Sequence, residues 1–260
     1  YVESGSVAIS GTAGFRMLSS PVSNGTYNDL LAELWTQGMT GSDAPEASSS
    51  NVWTFALGSG AAGTWSAASN LGSTMTPGAG FLVYVFADNN NDGTDDLPKT
   101  LSVGGSENSG NVTYPASGSI DANQYGLSGN PYYTTIDWDD VTKTNVEGTV
   151  YVYNDAKSGG AGYINWNGSS GDLTNGLIAP FQGFWVQATS SGSGSIQIQT
   201  ADKATSSGTF YRMLDTEEEG SMYFEFSSFD GGYDKVWFSF NSDGDKDKDT
   251  RDAYKLMPLM

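Results

Sequence analysis

Along this chain apolar residues alternate with polar ones over short runs, and glycine, serine and asparagine bound each run. The segments TFAL (54–57), FLVYVF (81–86), VYVYN (150–154), YINWN (163–167) and FWVQA (184–188) combine β-branched and aromatic residues at strand length. Gly-Ser-Gly, Asn-Gly and Ser-Gly-Gly stretches between them tolerate the positive φ that hairpin turns need. Helix formers are nowhere concentrated at helical spacing, so long helices are not predicted. The best short helix candidates are Tyr27 to Gln37 and Asp137 to Lys143; in the second, Asp137 would cap the first turn and Trp138 and Val141 would face a sheet.

Several markers recur in the same order, offset by roughly 100 to 110 residues, which is the signature of a duplication. Leu18, Ser19 and Pro21 match Leu127, Ser128 and Pro131; NVWTF (51–55) matches TVYVY (149–153); Gly63-Thr64-Trp65 matches Gly162-Tyr163-Ile164. Each copy closes on Pro-x-x-Gly-Phe, at Pro77, Gly80 and Phe81 and again at Pro180, Gly183 and Phe184. A third region holds three strand-like runs, GTFYRML (208–214), MYFEFSSF (222–229) and KVWFSFN (235–241), before an apolar end, AYKLMPLM (253–260). The expected fold class is all-β: tandem duplicated β-sandwich-like modules over 1–115 and 116–204, a partial C-terminal β-sandwich over 205–260, and few short helices.

Charge narrows the function classes. With 30 acids against 11 bases the net charge is −19; phosphate binding needs the opposite sign, so no nucleic-acid partner is expected. Adsorption to anionic membranes is disfavoured for the same reason, whereas cations are attracted. No run of about 18 apolar residues is present, so no helical membrane insertion is predicted. The chain has no cysteine and no histidine, which removes thiolate and imidazole zinc sites and the Ser-His and Cys-His nucleophile pairs. Absence of cysteine fits a bacterial protein exported without disulfides. The N-terminus lacks a basic-then-apolar signal, so an exported form would have lost its leader before Tyr1.

The block YGLSGNPYYTTIDWDDV (125–141), GTVYVYN (148–154), YINWNG (163–168) and GLIAPFQGFWVQA (176–188), together with DAYKL (252–256), resembles the repeated β-rich region that precedes the sorting domain in type IX secretion system surface proteins of Bacteroidota-type bacteria. The resemblance is most specific over 125–188 and 236–256. It implies export to the extracellular space or the outer surface of a Gram-negative cell, and no catalytic activity. It departs at the C-terminus, since that family continues past its DAYKL motif into further strands and the sorting domain.

Two acidic loops are candidate calcium sites. In Asp88-Asn89-Asn90-Asn91-Asp92-Gly93-Thr94-Asp95-Asp96, side-chain oxygens of Asp88, Asn90 and Asp92 alternate as in a calcium loop. Gly93 permits the sharp turn, Thr94 offers a carbonyl and Asp96 a further ligand, while Lys99 occupies the place of a bidentate glutamate. In the second loop Asp243, Asp245, Asp247 and Asp249 fall on one side of an extended strand, and only a cation or the intervening lysines relieves their repulsion. The alternative in both cases is a solvated acidic turn. Asp137, Asp139 and Asp140 are neighbours in sequence, which suits capping better than a glycosidase pair held at a fixed separation. Of the seven tryptophans most fall on strands and read as core; Trp65 and Trp166, beside Gly/Ser turns, are the candidates for ligand contact. The expected function is therefore a non-enzymatic, secreted or cell-surface structural or adhesive β-sheet protein, calcium-stabilised and self-assembling with other copies by strand addition of Ala253 to Met260. The alternative is a glycan-binding accessory module of a secreted enzyme.

Overall fold

The computed structural model describes residues 3–155 and 162–211, with only the backbone of 3–5, and the backbone alone of 220–227 and 233–240. The protein is all-β, with several packed sheets and few short helices. It forms two compact units, Tyr1–Leu214 and Asp215–Met260.

The first unit runs through β1 (Glu3–Ile9), β2 (Gly14–Ser19), the helix α1 (Tyr27–Leu31), β3 (Val52–Ala56), β4 (Thr64–Ala67), β5 (Gly80–Val85), β6 (Lys99–Gly105) and β7 (Val112–Tyr114). It continues through β8 (Tyr125–Gly129), β9 (Ile136–Asp137), β10 (Thr142–Thr144), β11 (Val146–Asn154), β12 (Gly162–Trp166), β13 (Leu177–Ile178), β14 (Gly183–Ala188) and β15 (Ser195–Ile198). Two four-stranded antiparallel sheets dominate, ordered β2-β5-β3-β4 and β8-β14-β11-β12. In each, the last strand in sequence lies between the first and the second. Smaller sheets, β1-β6, β7-β15-β10 and β9-β13, flank them.

Strand alternation explains how each sheet is used. In β5, Phe81, Val83 and Val85 turn to a first core with Val52, Leu18, Leu101 of β6 and Leu30 and Leu31 of α1. In β11 and β14, Val150, Val152, Phe184 and Val186 turn to a second core with Trp138, Ile196 and Ile198. The opposite faces of the two sheets are not polar. Met17, Leu127 and Trp185 are buried together there, with Phe55, Leu82, Tyr151 and Tyr153 packed against them.

The two sheets are stitched by reciprocal backbone contacts. Ser19 N–H donates to the Phe181 carbonyl at 2.9 Å, and Gly129 N–H to the Gly78 carbonyl at 2.9 Å. Ser19 Oγ donates to the Asn130 carbonyl (2.9 Å) and Ser128 Oγ to the Gly78 carbonyl (2.8 Å), so the two matched serines each close on the other half. Antiparallel bridges Leu18–Gln182 and Ala79–Ser128 complete the exchange. The approach demands glycine: a Cβ on Gly129 would sit 2.2 Å from Ser19 Cβ, and one on Gly80 would sit 2.5 Å from the Ser128 carbonyl oxygen.

Three sequence expectations change. The helix at Tyr27 is one short turn, Tyr27–Leu31, held by a capping box in which Thr26 and Asp29 bond each other's backbone N–H. Asp137 to Lys143 is not helical; β9, a turn and β10 occupy it, and Asp137 Oδ1 accepts from Asp139 N–H at 3.0 Å. Trp138 and Val141 are nonetheless buried in the second core, because a turn also brings i and i+3 to one side. The third change is one of register. Trp65 pairs with Phe55 and Tyr163 with Tyr153, so Trp65 corresponds to Tyr163 and not to Ile164.

Among residues 208–211, the described part of GTFYRML, there is no strand; Phe210 packs on the first core and Tyr211 on the second. In the second unit β16 (Gly220–Ser227) and β17 (Tyr233–Phe240) pair antiparallel, from Gly220–Phe240 to Ser227–Tyr233. The loop with Asp243, Asp245, Asp247 and Asp249, and the tail Ala253 to Met260, lie outside the described residues. Among the described residues no helix is long and apolar enough to cross a membrane.

Candidate ligand-binding groove at the sheet junction

Where the two outer faces diverge, they leave an open groove of about 460 Å³ lined by Phe55, Ala62, Gly63, Gln124, Tyr125, Tyr151, Tyr163 and Trp185. Both sheets build it. The β3–β4 hairpin supplies Phe55 and the glycine turn, and β8, β11, β12 and β14 supply the three tyrosines and Trp185. Trp185 is the hub: its ring meets Phe55 at 4.7 Å and 85°, Trp65 at 5.7 Å and 86°, and Tyr125 at 6.4 Å and 90°. These are edge-to-face contacts, the arrangement the aromatic quadrupole favours. Tyr125 and Tyr163 are 42% and 44% exposed and form the rim, whereas Trp185 is 9% exposed.

The groove is electrostatically plain. Its described lining carries no charged side chain. Burial pushes the Tyr151 hydroxyl up, with Tyr125 and Glu147 adding to the shift. Burial also pushes Tyr163 up, opposed by the Trp185 indole N–H nearby. That N–H does not reach hydrogen-bond geometry with the Tyr163 oxygen or with another acceptor. Tyr151 and Tyr163 are therefore neutral donors and acceptors at physiological pH. On the opposite, first-core face of its sheet, where it stands across from Val83, Arg16 is 1% exposed and donates to Asp155 Oδ2 at 3.4 Å and to the carbonyls of Phe15, Ser10 and Thr12. Desolvation lowers its pKa against the opposing pull of Asp155.

Comparison with family models, curated proteins and solved structures gives no match.

Trp65 and Trp166 are not brought together. Trp65, 40% exposed, stands beside the groove against Phe55 and Trp185. Trp166 packs on the second core, on the opposite face of its sheet, and its Nε1 donates to both Asp139 oxygens at 3.0 and 3.1 Å. Asp139 thus orients an indole, and Asp140 is exposed at the same turn.

In the 88–96 loop the carboxylates are engaged with backbone N–H groups. Asp88 accepts from Asn90 (3.3 Å), Asp92 (3.2 Å) and Gly93 (2.8 Å), and these bonds, Gly93 first, hold its pKa below the usual carboxylate range. Asn90 Oδ1 accepts from Asp92 N–H, Asp92 Oδ1 from Thr94 N–H, and Asp96 Oδ2 from Asn89 N–H. Asp96 lies 4.0 Å from Lys99, and Asn89 bonds the Glu33 carbonyl and the Trp35 N–H, pinning the loop to the segment after α1. Among the described residues no group of three or more acidic side chains is gathered for a metal.

Phe55, Gln124, Tyr125, Tyr151, Tyr163 and Trp185 were not singled out by their sequence context. The signal available is that outward strand positions carry aromatic residues where a solvated face would carry polar ones.

Proposed function

We propose that the chain is a non-enzymatic β module of a secreted or cell-surface protein, with a structural and adhesive role exercised through the groove between its two sheets. The observation that carries this reading is the groove itself: a concave, aromatic surface, uncharged among its described lining residues, whose walls come from both halves of a closely stitched unit. Such a surface supplies contact area at low entropic cost. The finer architecture belongs to the same proposal: two tandem duplicated β-sandwich-like modules, with the β16–β17 pair as part of a further sandwich. So do extracellular placement at a Gram-negative surface, for which the type IX resemblance argues, and calcium at the Asp88–Asp96 loop.

The test is adhesion. Labelled protein and the Tyr125→Ala/Tyr163→Ala variant are compared on immobilised matrix proteins and on a glycan array. Both tyrosines are exposed, so the variant retains its cores. Binding that falls at least about tenfold supports the groove, since two lost aromatic contacts are worth roughly 1–3 kcal/mol. Undiminished adhesion would remove the groove from the function. The exposed ring of Trp65 beside the groove favours, as a second reading, a carbohydrate-binding accessory module; binding confined to glycans and lost in Trp65→Ala would select it.

A further inference from the structure

We infer that the groove between the two sheets binds a quaternary ammonium group of the kind carried by choline. This names the ligand for the binding surface proposed above and rests on that reading.

Ring geometry is the first argument. Of the rings that line the groove, Phe55 and Tyr125 stand within a few degrees of perpendicular to Trp185, at 85° and 90°, and Tyr125 lies at 66° to Tyr151. Rings set crosswise make walls of a box, whereas rings set parallel would make a stack with no room between them. A box of electron-rich faces attracts a diffuse cation from several sides. Its volume, about 460 Å³, lies in the range of small-molecule sites.

Charge complementarity is the second. The chain carries a net charge of −19, so cations are drawn to it and anions repelled. No described cation competes for the groove. Arg16 is held by Asp155, Lys99 faces Asp96, Lys143 lies over Trp138, and Lys203 binds Glu107. Carboxylates flank it instead: Glu147 acts on Tyr151, and Asp121 accepts from Gly60 N–H beside Gln124.

A sugar or a primary amine suits this lining less well. Sugar hydroxyls and ammonium N–H groups lose water on entering the groove and require partners there. The described lining offers one side-chain amide, Gln124, and the hydroxyls of Tyr125, Tyr151 and Tyr163. A quaternary nitrogen has no N–H to satisfy, and its methyl groups gain from the same apolar walls.

The experiment is calorimetric titration of the full chain with choline, with its neutral isostere 3,3-dimethyl-1-butanol, and with glucose. Choline is expected to bind at least about tenfold more tightly than the isostere, the margin that cation–π attraction supplies. Tyr125→Leu and Tyr163→Leu should each weaken choline severalfold, and Tyr125→Phe should not, with melting transitions matching the native chain. Co-sedimentation with phosphatidylcholine but not phosphatidylglycerol vesicles would assign the group to a lipid headgroup; binding of choline without vesicle binding would assign a free small molecule. Equal binding of choline and the isostere overturns the inference, as does no binding of choline at roughly 100 mM, a concentration far above any specific Kd. If choline fails while adhesion still depends on Tyr125 and Tyr163, the ligand class falls and the adhesive surface stands. If adhesion is also insensitive to them, both fall.

Discussion

Asn130→Ala is the substitution whose cost follows most directly from the structure. Asn130 is fully buried at the turn after β8. Its Nδ2 donates to the carbonyls of Thr134 (2.9 Å), Ile178 (3.1 Å) and Ala179 (3.1 Å), and its Oδ1 accepts from Tyr132 N–H at 3.0 Å. Alanine removes all four contacts. Two amide protons serve three carbonyls, so one bond is shared and the loss is worth about three bonds. At ~1 kcal/mol net for each, and more where a buried group is left bare, the cost is about 3–5 kcal/mol. In a unit of this size each kcal/mol moves Tm by roughly 2–4 °C, which gives a fall of roughly 6–20 °C. Urea denaturation followed by tryptophan fluorescence measures it. Asn130→Asp is the control for packing: it keeps the shape but points a carboxylate at three carbonyls. It should be severely destabilised at neutral pH and recover partly in acid, where the protonated form donates again. A loss below about 1 kcal/mol in the alanine variant, or an aspartate variant as stable as the native chain at neutral pH, would refute the reasoning.

Other consequences are equally direct. Gly129→Ala places a Cβ 2.2 Å from Ser19 Cβ and should cost about 1–3 kcal/mol, with partial rescue by Ser19→Gly; a single variant that melts like the native chain contradicts the close approach. Burial raises the pKa of Asp202, whose carboxylate accepts from Gln199 N–H at 2.7 Å. A folded pKa above the unfolded one makes its contribution complete below the unfolded pKa and lost as pH rises through the folded value. Asp202→Asn should therefore raise Tm at neutral pH more than in acid, and the reverse order would count against it. Calcium at about a hundredfold its Kd should stabilise the chain by about 2.7 kcal/mol against chelator, and Asp88→Asn should abolish the effect; identical melting curves with and without calcium would exclude a native ion at that loop.

Much of the fold was legible in the residue pattern, for a physical reason. Strands with core on one side show a period of two: β5 buries Phe81, Val83 and Val85 and β11 buries Val150 and Val152 in alternation, whereas β14 is buried on both faces over Gly183, Phe184, Trp185 and Val186. The repeated Leu-Ser and Pro-x-x-Gly-Phe markers were legible because they occupy the stitched junction, where Ser19, Ser128, Gly80 and Gly183 have little latitude. Register was not. A slip of one residue exchanges the faces of a strand, and matching Trp65 to Ile164 placed a rim residue opposite a core residue. Asp137 to Lys143 was misread because i, i+3 burial does not distinguish a helical turn from a tight turn between two short strands. The groove was illegible for a different reason. Tyr125, Tyr151 and Trp185 become neighbours only through strand order and the packing of two outer faces, and no local spacing encodes either. Trp166, beside a glycine turn, is half-buried against the second core and donates to Asp139, a long-range partner that no local spacing announces.

Contact through the groove is the central proposal, and fluorine NMR locates contact residue by residue. The chain is labelled with 3-fluorotyrosine, assigned by single Tyr→Phe variants, and titrated with whichever surface ligand the adhesion assay retains. The prediction is that the resonances of Tyr125, Tyr151 and Tyr163 shift together while those of the buried Tyr132 and of Tyr27 stay fixed. Shifts confined to tyrosines outside the groove, with Tyr125, Tyr151 and Tyr163 unmoved at saturation, would contradict it.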